Sequence, residues 1–502
     1  MDTFHGLLTS IVFVPVMGAL IIGVLIKDPV KVKALATLTV LINLLLSTIV
    51  FIQFNPNSPE RFQLVDKFHW FSSTAFTAQY QMGVDGLSAP LVLLTGLLSV
   101  CAVLVSWNIN IRVKEYFIWI LILQTSVMGV FVSLDFIMFF VFWELELIPM
   151  YFLISIWGTG RKRYSAMKFL VFTFLGSAFM LIGIITLLLA PNIAGGDLTK
   201  LAEVGTSGAV TIIPIQLVFW LFFLGFAIKL PIVPVHTWLP DAHTDAPTAV
   251  SIMLAGVLLK MGGYGLLRIS IGMFPEIAQG YALELTILAV ITILYAAIIT
   301  LKQTDLKRLI AYSSVSHMGL VLLGIGSIGT SGGGFATIGL TGAAMQLFTH
   351  GTITGLLFLS VGVIYEKTHT RYIPDLGGLA SRMPLVTICF MIGGLASLGL
   401  PGMSGFVAEA LVFLGAFKSF PILTGLGAFA IVIAAGYILW MIERVLFGNK
   451  KDRFESVTDG HLWTNVVPMT LLVITILGIG VYPSILTRVF EAGIQPIGAL
   501  FS

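Results

Sequence analysis

The sequence predicts an all-α integral membrane protein with about 14 transmembrane helices. Three observations carry that prediction. The 502 residues are 57% hydrophobic and only 10% charged, with a mean hydropathy of +1.02, whereas a soluble domain carries roughly 25% charged residues. Apolar runs of the roughly 20 residues that a helix needs to cross a bilayer recur from end to end. Lysine and arginine fall mostly on alternate loops, the pattern that sets orientation.

The spans follow in order. The run 6–27 is preceded by Asp2 and no basic segment. No small-residue cleavage site with polar sequence beyond it follows, so the run reads as a retained span and not a signal peptide. Lys27, Lys31 and Lys33 separate it from 32–53. Next come 86–107 and 115–133, parted by Arg112 and Lys114, then 135–156, which Asp135 opens. Arg161, Lys162 and Arg163 precede 167–189. The chain continues through 211–239, 247–272 (Pro247 suits a first helical turn), 281–301, 308–328, 335–365, 384–416, 422–447 and 462–487. The runs 211–239, 335–365 and 384–416 are too long for one upright helix and predict bent, tilted or broken ones.

Loops after odd-numbered spans carry 19 Lys and Arg and those on the opposite side 6; Lys229 and Lys260, inside the membrane, complete the 27. That bias puts both termini on the non-cytoplasmic side. Cys101 and Cys389 are too few for a four-thiolate iron–sulfur site and read as small buried hydrophobes. The GxGxxG at 324–329 ends an apolar span with no strand before it, so it reads as a helix end and not a nucleotide site. No Walker sequence or nucleophile elbow appears, and no His/Cys/Glu set has metal-ligand spacing.

A weak internal repeat is visible. The run 211–239 is interrupted by Pro231 and Pro234, and 384–416 by Leu398-Gly-Leu-Pro401-Gly-Met-Ser-Gly405. Each has an ionisable group near its break, Lys229 and Glu409. These runs are seventh and twelfth, and an odd offset orients their units oppositely across the membrane. Paired interrupted helices in opposed halves point to an inverted-repeat transporter fold.

Charge inside a bilayer is costly and marks ion pathways by default. Glu144 lies about 14 Å along its helix from Asp135, near mid-bilayer; Glu146, two residues on, faces roughly the other way. Glu144 reads as a buried carboxylate paired with a lysine, the alternative being a fixed structural ion pair. Lys260 lies about 20 Å down its helix from Pro247, beyond snorkelling reach, whereas Arg268 at the helix end is expected to snorkel. Gly262, Gly263 and Gly265 permit close helix approach or a local opening beside the amine. Lys229 is desolvated next to a break. A carboxylate about 8 Å from it, at an effective dielectric of about 20, is worth roughly 2 kcal/mol, so making or breaking that pair loads or releases a proton. Glu409, about 12 Å beyond the Pro401-Gly402 break, is the last buried charge and reads as a proton exit or as a partner for a neighbouring subunit. His236, His243, His317 and His350 read as bridges between the lysines or as hydrogen-bonded packing residues.

Together these residues resemble the antiporter-like membrane subunits of respiratory complex I. The motifs that carry the resemblance are Phe142-Trp-Glu144-Leu-Glu-Leu-Ile-Pro-Met, Pro234-Val-His236-Thr-Trp-Leu-Pro-Asp-Ala-His243-Thr-Asp-Ala-Pro-Thr, Leu258-Leu-Lys260 and Pro401-Gly-Met-Ser-Gly-Phe-Val-Ala-Glu409. The likeness covers nearly the whole chain. It implies two inverted five-helix repeats with broken helices 7 and 12: N-terminal helices in 1–112, the first repeat in 113–272, the second in 273–448 and the last helix in 449–502. It implies that Glu144 pairs with Lys229, that Lys260 is the central lysine, and that Glu409 ends the relay, with Lys168 and the four histidines as auxiliary groups. Glutamate at the last position sets one paralogue apart from chains L and N, which carry lysine there and are expected to flank it in the membrane arm.

The function implied is proton translocation as a membrane-arm subunit of NADH-quinone oxidoreductase in a bacterial inner membrane. No cofactor is expected in this chain; NADH or another donor, flavin, iron–sulfur clusters and quinone are expected in partner subunits, and no nucleic acid. Membership of a related ferredoxin- or photosynthetic-type complex leaves the donor open. Three readings compete: a subunit of a multisubunit sodium/proton antiporter, a stand-alone secondary transporter, and a passive spacer.

Overall fold

The computed structural model describes residues 5–72, 77–190, 196–200, 211–329 and 334–501. Among them, 12 helices are long and apolar enough to cross a membrane, and the shorter apolar helices Ile215–Lys229 and Pro384–Ser397 bring the set to the expected number. Both short helices stop where the sequence places a break. After Lys229 the chain leaves the helix, passes Pro231 and Pro234, and resumes as Trp238–Asp245. After Ser397 it passes Gly399 (φ 67°), Pro401 and Gly402 (φ 87°) before Ser404–Ser419. Proline removes an amide donor and glycine accepts a left-handed backbone, so neither site can sustain a helix.

The third long run differs. Phe335–Thr368 is one unbroken helix of 34 residues, about 51 Å at 1.5 Å per residue. It contains no proline, and nearly every residue over 339–364 is buried. The Leu306–Gly326, Pro384–Ser397 and Ser404–Ser419 helices pack against it, so its excess length runs through protein and not lipid.

The Thr248–Ile271 helix is likewise enclosed along its whole length. Two wide-turned π-helical stretches, Leu254–Leu258 and Leu266–Ile271, bracket the α-helical Leu259–Gly265 that holds Lys260; such stretches are common at functional sites. Gly262 lets this helix close on the broken one, since a Cβ there would stand 2.6 Å from the Leu230 amide and 2.8 Å from the Phe226 carbonyl.

Three features depart from expectation. An antiparallel hairpin, Gln63–Ser72 with Thr77–Val84, occupies the polar interval before the third span. The last span ends at Val481, and Ser484–Gly498 is a separate helix whose Leu486, Val489, Phe490, Ile494 and Ile497 are buried, against the long Phe335–Thr368 helix among others. Arg268 does not snorkel. It is 1% exposed, donates from Nη1 to Asp85 Oδ2 at 2.6 Å and from Nη2 to Asp85 Oδ1 at 2.5 Å, and so ties the end of the Lys260 helix to the segment that follows the hairpin. Arg61 Nε stands 3.9 Å from the same carboxylate.

Candidate functional site

The intramembrane groups Lys229, Glu146, Lys260, His350, His317 and Glu409 fall into two clusters. The first surrounds Lys229, at the last turn before the break. Its ammonium forms an ion pair with Glu146 Oε1, both side chains being almost wholly buried, and stands 5.5 Å from the centre of the Trp143 ring and 5.6 Å from that of Phe169. The resemblance implied pairing with Glu144; the structure places Glu146 there instead. The helical hydrogen-bond ladder is interrupted for one residue at Glu146, between Phe136–Leu145 and Leu147–Trp157, while its backbone stays helical. Glu144 remains an electrostatic neighbour of Lys229, half-buried, with its Oε1 lacking a hydrogen-bond partner among the described residues. The lysine therefore has two carboxylates within its field, one bonded and one not.

The second cluster runs from Lys260 to Glu409. Lys260 is completely buried and donates to the Ala255 carbonyl, inside the first π-helical stretch. It also lies 2.7 Å from His350 Nδ1. No carboxylate pairs with it among the described residues. The His350 ring centre is 5.6 Å from that of His317. His317 places Nδ1 2.8 Å from the Ser313 carbonyl and Nε2 3.0 Å from the Ser397 carbonyl. Only the doubly protonated ring can donate to both. Ser397 is the last residue before the second break, so the interrupted helix presents an uncommitted carbonyl to the imidazole. His317 Nε2 is also 3.8 Å from Glu409 Oε1. Glu409 is buried and, with Ser316, Ser397 and Tyr437, lines a cavity of about 20 Å³, room for about one water by size. Gly399 is what leaves space for this carboxylate, because a Cβ there would collide with Glu409 Oε2.

The other auxiliary residues lie around these clusters. Lys168 is paired with Asp241 at 2.7 Å. His236, edge-on to Tyr295 with ring centres 5.3 Å apart, has no partner for Nδ1 among the described residues. His243 stacks on Phe358 at 4.6 Å, and neither ring nitrogen has a partner among the described residues. Its charged neighbours are Lys260 and Lys307; Lys307 is itself buried and donates to the Ala246 carbonyl at 2.6 Å. Buried polar groups without protein partners are the places where ordered water completes the hydrogen bonding.

Sequence reasoning missed the roles of Glu146, Asp241 and Lys307. Glu146 was visible as a second intramembrane carboxylate, but no pattern said which of the two would meet Lys229. Asp241 and Lys307 sit at helix ends, where a charge is unremarkable until its burial is known. Among the described residues no three His, Cys, Asp or Glu are placed to hold a metal ion.

Comparison with known proteins gives one answer from sequence and structure. A family described as the transmembrane region of NADH:quinone oxidoreductase/Mrp antiporter matches residues 133–434. "NADH-quinone oxidoreductase subunit M" of Rhodobacter capsulatus is 39% identical over 96% of this chain and 94% of its own length. "NAD(P)H-quinone oxidoreductase chain 4 1" of Synechococcus elongatus is 39% identical over 98% of this chain and 91% of its own. A chain of respiratory complex I from Thermus thermophilus superposes with a TM-score of 0.87 at 28% identity, covering 99% of this chain and 100% of that one. A chain of the Mrp complex from Dietzia sp. DQ12-45-1b superposes at 0.82 with 19% identity, covering 99% and 100%, a likeness of fold.

Proposed function

The chain belongs to the membrane family shared by NADH:quinone oxidoreductases and Mrp antiporters, and from that premise we propose that it moves protons across the bilayer as an antiporter-like subunit of an NADH-quinone oxidoreductase, complex I. One observation carries the proposal: a buried string of titratable side chains, Lys260, His350, His317 and Glu409, spans the interior between the two broken helices. A string of this kind is expensive to bury and has no structural need to be continuous.

In this reading Lys229 exchanges between Glu146 and Glu144, and its changing field sets whether Lys260 holds a proton. The proton passes through His350 and His317, imidazoles that gain and lose a proton near neutrality, and leaves by way of Glu409 and the cavity beside it. His236, His243 and Lys168 serve the uptake side. The energy arrives from quinone reduction in partner subunits, which hold the donor site, flavin and iron–sulfur clusters. Chains L and N flank this one in the membrane arm. The first inverted repeat is 113–272 and the second 273–448, and both termini face away from the cytoplasm of a bacterial inner membrane.

The test is Lys260→Ala in the intact complex, with NADH-driven proton uptake and quinone reduction measured together in inside-out vesicles. Loss of both supports the proposal; normal uptake and coupled turnover would leave only a spacer. The second reading, a sodium/proton antiporter subunit, is favoured by a family that spans both complexes and by the Mrp likeness of fold. Co-purification decides between them, since only the oxidoreductase brings flavin and iron–sulfur partners.

A further inference from the structure

A groove of about 570 Å³ opens where the ends of the Val113–Val132, Leu147–Trp157 and Lys162–Leu188 helices meet. Its walls combine three cations, Arg112, Lys162 and Arg163, with Tyr151, Phe152 and Met167. Arg112 is shared with Glu115. Lys162 donates one N–H to the Ile156 carbonyl at 2.6 Å and keeps its other two, and neither it nor Arg163 forms an ion pair among the described residues. Below the cations, Met167, Val171 and Phe174 are exposed. Their i, i+4, i+7 spacing lays them along one side of a transmembrane helix, an apolar track on the outer surface of this chain.

We propose that this groove binds an anionic phospholipid, with the phosphate held by Lys162, Arg163 and Arg112 and an acyl chain along Met167, Val171 and Phe174. A cation cluster set directly above an apolar track matches both halves of such a molecule, and basic pockets between transmembrane helices are a known mode of headgroup capture. The site is separate from the proton string and stands whether or not that string conducts.

The test uses the purified, delipidated complex, titrated in native mass spectrometry with short-chain phosphatidylglycerol, phosphatidylcholine and inorganic phosphate. Phosphatidylglycerol is expected to fill the site. In Lys162→Gln/Arg163→Gln its affinity is expected to fall about 25-fold, at about fivefold per lost cation. Inorganic phosphate is expected not to displace it. Unchanged affinity in the variant, equal binding of phosphatidylcholine, or displacement by phosphate alone overturns the proposal. Should the variant complex not assemble, the wild-type complex photolabelled with azido-tailed phosphatidylglycerol decides: label concentrated on 151–175 supports the site, and label spread over the lipid-facing surface overturns it.

Discussion

Truncating His350 to alanine cuts the buried string at its middle. His350 Nδ1 lies 2.7 Å from Lys260 Nζ, and its ring centre lies 5.6 Å from that of His317. A proton passes between groups about 2.6–3.2 Å apart, or through one water. Without this ring, the Lys260 amine keeps only the Ala255 carbonyl as a hydrogen-bond partner among the described residues. A positioned acid or base is worth roughly 10²–10⁴-fold in rate, so flux through this chain is expected to fall at least about 100-fold. The assay is NADH oxidation with a pH-sensitive dye in inside-out vesicles; because uptake and turnover are coupled, both should drop. His350→Phe keeps the ring volume and loses the nitrogens, so it should fail equally and exclude a packing defect. His461→Ala, at an exposed position, should behave as wild type. Turnover and uptake within twofold of wild type in both His350 variants would refute the relay.

Glu146→Gln removes the bonded partner of Lys229. Breaking a buried pair costs about 3–5 kcal/mol, so thermal unfolding should shift down by several degrees, whereas Glu144→Gln should spare the melting temperature and stop proton uptake. Gly399→Ala forces a left-handed alanine, at about 1–2 kcal/mol, and drives a methyl into the Glu409 carboxylate; turnover and stability should both fall, while Gly425→Ala, where an added Cβ meets nothing within 4 Å, should leave both intact. Asp85→Asn strands the buried Arg268 guanidinium and should lower stability by about 3–5 kcal/mol. Burial pushes the Asp85 carboxyl up, but the Arg268 and Arg61 guanidiniums outweigh it and hold the carboxyl below the usual carboxylate range. Its stabilisation is thus fully present above the unfolded value of about 3.9 and lost as pH falls through the lower folded value. Acid unfolding of the wild type should show that component and the Asn variant should lack it.

Hydropathy made the spans legible, and the breaks at Pro231, Pro234 and Pro401 were legible because proline and glycine act locally. Lys229, Lys260 and Glu409 stood out because a charge in an apolar run has few explanations. What stayed hidden depends on contacts distant in sequence. Arg268 looked like a snorkelling end residue because its partner, Asp85, lies 183 positions away. Which of Glu144 and Glu146 meets Lys229 is likewise settled by a contact 83 positions apart in sequence. The 34-residue helix exceeded any bilayer-based length because its solvent is other helices. The hairpin and the Ser484–Gly498 helix were missed because a search for long apolar runs passes over short alternating and amphipathic ones.

Lys260 is aimed by the winding of its own backbone. The seven residues Leu259–Gly265 lie between two wide turns. Each such turn accommodates a residue that a regular helix would not. If the first one tightened, everything beyond it would shift by about one residue's step, roughly 100° of twist and about 1.5 Å along the axis, and the amine would swing away from His350. In the proposed relay, whether the amine reaches His350 is thus a question of torsion.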